Sequence, residues 1–498
     1  MFIKTLTIKN LRCFADETIG EFNVPDGTTP GSGLNILIGE NGNGKTTVLE
    51  AINFLTQSSY STNNTMDISD FKDMERELSV SYKSSANFKC KMPPTYRGCS
   101  YEADGITFTA KPRGSKSPGK LLSTPFQVSS SFNNTTANYL NTSGQDCGKP
   151  IIDFVRIFSA ENIDGDELNI FYFDKNRTRQ LTQGNYKTTF ERICDDLNWR
   201  FIKTINSDAA KKQAIINSLT GDYFQQAKDA AQSGAGQKVA DDLAVFLDNE
   251  KYKNLKLDII NYLQPFGTGM LALREDASLL QILSKDLGSG VEMIIALLML
   301  RNIGNASKGK IVYLIDEPEA HLHPKAQREL SRLLLEESKD KQIFLSTHSP
   351  YIFKDAIMNG PGLFLFKRDN NDEIVVTDAN GSGFGHFPWS PSWGEVNFRA
   401  YDLPTVELHN EIYGFIQEQT GNYREADLEN YFVSKSAPQS KGWIRVNAGI
   451  PQPVYNTTLY TYIRNKIHHP ENTQNADYTD AEFRQSITEM LALIDAGL

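Results

Sequence analysis

The sequence lacks most of what marks a membrane, secreted or broadly basic protein. No apolar run is long enough to cross a bilayer, and the opening MFIKTLTIKNLRCF alternates like a strand, without the unbroken apolar core of a secretion signal. The five cysteines, Cys13, Cys90, Cys99, Cys147 and Cys194, show no C-x-x-C spacing, so neither a zinc ribbon nor a disulfide framework is indicated. They read as thiols of a reducing cytosol, and a cytoplasmic chain with no membrane contact is expected. Asp and Glu outnumber Lys and Arg by 61 to 51, a formal charge of −10 that argues against a broadly basic nucleic-acid scaffold but leaves room for a local basic groove. No heptad repeat is sustained, which excludes a long coiled-coil arm.

What is present is a chain of 498 residues, long enough for two to four structural units, organised around LNILIGENGNGKTTVLE, residues 34 to 50. An apolar strand (Leu34, Ile36, Leu37, Ile38) runs into a turn with Gly39, Gly42 and Gly44, then Lys45, Thr46, Thr47 and a helical pattern (Val48, Leu49, Ala51, Ile52). This is a P-loop in the strand–turn–helix setting the motif requires. Its glycines let the N–H groups of Gly39, Asn41, Gly42, Asn43, Gly44, Lys45, Thr46 and Thr47 line one concavity at a helix N-terminus, where phosphate binds. The chemistry expected is ATP with Mg²⁺, Lys45 reaching the β/γ-phosphates and Thr46 the metal.

Downstream, IVYLIDEPE (residues 311 to 319) is an apolar strand that delivers Asp316 and Glu317 at its C-terminal end. Asp316 is expected to hold the metal through water, and Glu317 to take the proton of an attacking water. Between the two motifs LGSGVEMIIALL places Ser289 and Gly290 before an apolar helix, and IFLSTHSP ends a later strand in His348.

In this order the motifs resemble the ABC-type ATPases of the RecF, SMC and OLD lineage. The signature, GSGVE, departs from the usual LSGGQ. The resemblance implies a P-loop ABC-type ATPase head of α/β class that works as a head-to-head homodimer, or as a higher oligomer built from it. Ser289 and Gly290 then contact the γ-phosphate of the opposite head, while His348 senses it in its own. Arg12 either contacts the nucleotide or makes a surface salt bridge, and Gln57 is the candidate for the glutamine that meets the metal. His321 and His323 shape the turn after Glu319, since an H-x-H metal pair lacks a third ligand.

Around these motifs the pattern divides into an N-terminal lobe (1–187), a helical insertion (188–265), a second ATPase lobe (266–380), a connector (381–403) and a C-terminal helical domain (404–498). Within the first lobe four short strands are expected from Leu78 to Ala110, then a long surface loop over 111–150 whose KPRGSKSPGK start reads as solvated or phosphate-touching. Strands are expected again at Ile151 to Ser159 and Leu168 to Phe173, and helical periodicity from Thr188 to about Leu263.

The C-terminal domain reads as all-helical, with stretches at 404–419, 423–433, 456–469 and 479–496. Its TYIRNKIHHPEN sets Arg464 and His469 at the R-x4-H spacing of HEPN ribonucleases, where an arginine and a histidine cleave RNA through its 2′-OH; a capping or docking role is the alternative. A TOPRIM nuclease needs an early glutamate and a D-x-D on strands, and neither is found after residue 380. A compact head with this tail resembles the PtuA family, ATPase subunits of bacterial Septu anti-phage systems that also occur as retron effectors. That resemblance implies an HNH nuclease partner and, in a retron setting, a reverse transcriptase with its msDNA. An ATP-gated HEPN ribonuclease and a RecF-like DNA-repair ATPase that binds nucleic acid are the competing readings.

Overall fold

The computed structural model describes residues 2–53, 68–89, 100–112, 126–133, 136–138, 143, 168–173, 234–247, 255–260, 270–275, 281–283, 289–304, 310–320, 322–381 and 384–498. The chain divides into two units, Met1–Val376 and Thr377–Leu498. The first begins with β1 (Ile3–Leu11), β2 (Phe14–Gly20), β3 (Leu34–Gly39) and α1 (Lys45–Asn53), followed by β4 (Leu78–Lys89), β5 (Ser100–Pro112), β6 (Phe126–Asn133), β7 (Thr136–Asn138) and β8 (Leu168–Phe173). It continues through α2 (Gly234–Leu247), β9 (Leu255–Ile260), β10 (Met270–Glu275), β11 (Gln281–Leu283) and α3 (Ser289–Gly304). The remaining elements are β12 (Lys310–Asp316), α4 (Pro324–Glu337), β13 (Gln342–Ser346), α5 (Pro350–Ile357), β14 (Gly362–Arg368) and β15 (Ile374–Asp378), the last crossing the unit boundary.

Two sheets carry this unit. One has the order β15-β14-β3-β13-β12-β8, with β14, β3, β13, β12 and β8 parallel. All six residues of β3 are buried, as a parallel strand covered on both faces demands, and this is why it reads as one apolar run. The other sheet is antiparallel, β2-β1-β4-β5-β6, with β7 also on β5. Gln342, fully buried at the start of β13, ties the two together: its side chain accepts the Ile3 N–H at 2.9 Å and donates to the Ile3 carbonyl at 2.6 Å. Phe22 wedges between them, edge-on to Phe344 at 4.9 Å and to Phe364 at 5.0 Å between ring centroids.

Several sequence expectations need correction. The four short strands over 78–110 are two long ones, β4 and β5, whose register shifts between Lys83 and Phe88; the polar residues read as breaks lie within a continuous ladder. The expected loop over 111–150 contains β6 and β7, paired to β5; Phe126, Val128 and Phe132 carry a period-two signal among serines. The helical periodicity does hold over α2, where Val239, Leu243 and Phe246 are buried, but it does not run to Leu263. Leu255, Leu257 and Ile259 alternate, and form β9 against β10. The expected strand at 151–159 and helices over 188–233 lie outside the described residues.

The second unit holds α6 (Trp393–Ala400), α7 (Val406–Thr420), α8 (Glu425–Ser434), α9 (Leu459–His468) and α10 (Asp480–Asp495). Leu408, Ile412 and Ile416 of α7, spaced along one helix face, pack in its core with Phe432 of α8, Ile463 of α9 and Ile487 of α10. Thr405, Thr458 and Thr479 cap α7, α9 and α10, the last in a capping box with Glu482. The stretch read as connector contains α6, started by a second capping box of Ser392 and Glu395. Between α8 and α9, four very short strands pair as Lys441–Trp443 with Tyr455–Thr457 and Val446–Asn447 with Ile450–Pro451, so the helical domain also carries small β pairings.

Candidate nucleotide site

The parallel sheet gathers the site at its C-terminal edge, the usual ligand position in open α/β sheets. Register sets the contacts: Leu37 of β3 is opposite Ser346 of β13, and Ser346 is opposite Asp316 of β12. The P-loop follows β3. Gly42 and Gly44 sit at φ +81° and +88°, a region side chains avoid, and a Cβ on Gly44 would fall 2.6 Å from the Phe14 ring. The β1–β2 turn thus supports the loop from below, and only glycine fits at that contact.

Lys45 is buried and its ammonium donates to the carbonyls of Gly39 at 2.6 Å and Glu40 at 3.0 Å, so it lies across the loop it serves. Thr46 Oγ1 donates to Asp316 Oδ2 at 2.9 Å. The other carboxylate oxygen of Asp316 accepts the Ser346 hydroxyl. Asp316 is 1% exposed, and these two hydroxyls offset the cost of burying it. A hydroxyl and a carboxylate this close suit a hard cation that takes oxygen ligands and completes its shell with water and phosphate. Among the described residues no group of three or more His, Cys, Asp or Glu gathers.

Glu317 adopts φ +47°, rare for a residue with a side chain, and its N–H donates to the Ser346 carbonyl at 3.1 Å and the Ser346 hydroxyl at 3.0 Å. This turns its carboxylate towards His348, with Oε1 3.9 Å from Nε2. Burial, and then the Lys45 charge, push the His348 imidazole down to about 4, so it is neutral at pH 7. The His348 backbone N–H is taken by the carboxyl of Glu319, whose own pKa is raised by burial.

Other residues singled out in the sequence fall as follows. Asn41 and Gly42 are exposed at the loop tip. Asn43 is buried, with its carboxamide donating to the Phe366 carbonyl at 3.2 Å, so its side chain serves the scaffold. Ser289 and Gly290 are the first residues of α3. Arg12 is ion-paired to Glu50 of α1 and, at 2.9 Å, to Asp70, which is the salt-bridge alternative. His323 caps α4, accepting the Lys325 N–H. Gln57 and His321 lie outside the described residues. Sequence reading missed Ser346, although it ends its strand as Asp316 ends the neighbouring one, and aligning the two strand ends would have found it.

In the second unit Arg464 lies over the Tyr413 ring, 5.9 Å from its centroid, and donates to Asn465 Oδ1 at 3.1 Å. His469 closes α9, faces Glu471 at 3.3 Å, and lines a groove of about 650 Å³ together with Trp443, Arg445, Asn465 and Asn472. Arg464 is not among the groove's lining residues.

The chain is 25% identical over 392 residues to the OLD nuclease of Thermus scotoductus, covering 75% of this chain and 64% of that protein. It is 40% identical over 82 residues to the DNA replication and repair protein RecF of Pediococcus pentosaceus, 16% of this chain and 20% of that one. The chain thus spans less than two thirds of either relative. An SMC head bound to the C-terminal winged-helix domain of ScpA aligns with 76% of this chain and 98% of its own at 14% identity, with a TM-score of 0.44. The AAA ATPase domain family matches residues 1–92 and 107–353, well over half of the sequence; with its P-loop and the Asp316 strand inside that match, the chain belongs to this ATPase family.

Proposed function

We propose that the chain is the ATP-hydrolysing regulatory subunit of a bacterial anti-phage complex of the PtuA type, and that a partner HNH nuclease does the cutting. The observation that carries the ATPase half is the Thr46–Asp316 hydrogen bond of 2.9 Å beside Glu317 and His348. Mg²⁺, when bound, neutralises charge on the β- and γ-phosphate oxygens. Lys45 exchanges the Gly39 and Glu40 carbonyls for phosphate oxygens, and Thr46 and Asp316 present oxygen atoms to the metal shell. Glu317 accepts the proton of the attacking water at its carboxylate. His348, neutral, hydrogen-bonds the γ-phosphate through Nε2. Ser289 and Gly290, at the N-terminus of α3, serve the nucleotide of a second copy, so ATP joins two heads.

The regulator reading is supported by a second unit with its own core. The second reading, an ATP-gated HEPN ribonuclease, is favoured by His469 on the 650 Å³ groove and opposed by Arg464, which is engaged with Tyr413. Native mass spectrometry of the chain expressed with its neighbouring genes, with and without ATP, separates them. A stable complex with a small HNH protein establishes the regulator. A bare ATP-dependent homo-oligomer that cleaves RNA, and stops on Arg464→Ala or His469→Ala, establishes the ribonuclease. ATP-stabilised binding to DNA ends, with neither of these, favours a RecF-like repair ATPase.

A further inference from the structure

We propose that Gln327, on α4, is a positioning residue for hydrolysis: its carboxamide clamps the turn that follows Asp316 to the turn that carries His348. The proposal rests on His348 acting on the γ-phosphate, as proposed above. The chain leaves β12 at Asp316 and enters α4 at Pro324, and Glu319 and Leu322 lie on the stretch between them. Gln327 reaches back and donates through Nε2 to the Leu322 carbonyl at 2.8 Å and, at 3.4 Å, to that of Glu319. Its Oε1 accepts the Ser349 hydroxyl at 2.7 Å.

Ser349 follows His348 directly. Its hydroxyl also accepts the Ile352 N–H, capping α5, and its own N–H is donated to Thr347 Oγ1 at 3.0 Å. On the near side the Glu319 carboxyl accepts the His348 N–H. The two turns are therefore joined both through Glu319, to the His348 backbone, and through Gln327, to its neighbour. Ser349 is buried, so water is poorly placed to replace its link to Gln327.

The residue type follows from the geometry. The position needs a donor towards two carbonyls and an acceptor towards one hydroxyl on a single planar group, which a glutamine side chain supplies. Glutamate has the same shape and no donor; lysine has the donors and no acceptor. Without the clamp, His348 and Glu317 keep their chemistry but lose their fixed separation, and the effect falls on turnover more than on nucleotide binding.

The test is steady-state ATPase activity of the full chain with Mg²⁺ and ATP, alongside affinity for a fluorescent ATP analogue. Gln327→Ala, Gln327→Glu and Ser349→Ala should each lower kcat about 10- to 100-fold while affinity stays within about twofold. The double variant of Gln327→Ala and Ser349→Ala should be no slower than the worse single one, and Ser349→Thr, which keeps the hydroxyl, should behave as wild type. Unchanged kcat in Gln327→Ala, losses that multiply in the double variant, or losses that track affinity overturn the clamp. If Gln327→Ala does not fold, unchanged kcat in Ser349→Ala overturns it instead. His348→Ala separates the two levels. If it keeps full kcat, the reading of the site fails; if it loses kcat while Gln327→Ala does not, only the clamp fails.

Discussion

Replacing Ser346 by alanine removes one hydroxyl from the position where three strands of the site meet. Ser346 is fully buried, donates to Asp316, and accepts the Glu317 N–H at 3.0 Å. The Glu317 N–H keeps its second acceptor, the Ser346 carbonyl at 3.1 Å, so that bond is weakened rather than orphaned. Asp316 is different: 1% exposed, it loses one of two hydroxyl donors and keeps that of Thr46. Losing a hydrogen bond to a buried carboxylate costs about 1.5 to 3 kcal/mol. A carboxylate freed to shift by a fraction of an ångström should also lower kcat, on the order of 10- to 100-fold. Ser346→Cys, of similar volume with a weak donor, should fall between. Urea unfolding of the full chain and ATP turnover of the same preparations read both effects. If Ser346→Ala unfolds within about 0.5 kcal/mol of wild type, the usual range of inconsequential substitutions, and turns over normally, the reasoning is refuted.

Glu317→Gln should bind ATP and stop at the closed, nucleotide-joined dimer, seen as an ATP-dependent doubling of mass in light scattering; unchanged hydrolysis and unchanged mass together would remove Glu317 from the site. Lys45→Ala should abolish binding of a fluorescent ATP analogue at concentrations that saturate wild type. Gly44→Ala must hold φ +88° and push Phe14 aside, so a loss of at least about 1 to 3 kcal/mol is expected, with Phe14→Leu relieving part of it. His409, buried in the second unit and hydrogen-bonded to Ser486 at 3.0 Å, is held down to about 3 by burial and by nearby His468. Because the folded pKa lies below the unfolded value, its contribution is complete above about pH 6.5 and is lost as pH falls from there towards 3, with about 2 kcal/mol gone by pH 5. His409→Leu should flatten the unfolding midpoint between pH 7 and 5, and an unchanged slope counts against this origin.

The elements best read from sequence are those whose signal is local. β3 and β12 are single apolar runs because both faces are covered, and the P-loop declares itself because only glycine tolerates Gly44's backbone beside Phe14. The antiparallel sheet was harder. Its long strands carry Ser, Thr and Lys on one face, and a β-bulge disrupts the period that reveals a strand, so one strand reads as two and a polar one reads as a loop. The residues that position the site were less legible still. Ser346 meets Asp316 from 30 positions away and Thr46 meets it from 270, and such pairs follow from strand register, which no local pattern encodes.

The same distinction bears on the tail. R-x4-H is a spacing along the chain, but on a helix five positions turn the side chain about 140° away. Arg464 accordingly lies against Tyr413 of α7, while His469, at the end of α9, faces the groove. Catalysis by this pair therefore needs either Arg464 to leave the Tyr413 ring or a second copy of the chain to bring its own arginine to this histidine. Tyr413→Ala distinguishes a catalytic arginine from a structural one. If Arg464 is held in reserve for RNA, freeing it should leave or raise cleavage; if the stacking is its purpose, Tyr413→Ala and Arg464→Ala should destabilise the unit alike and RNA should remain intact in both.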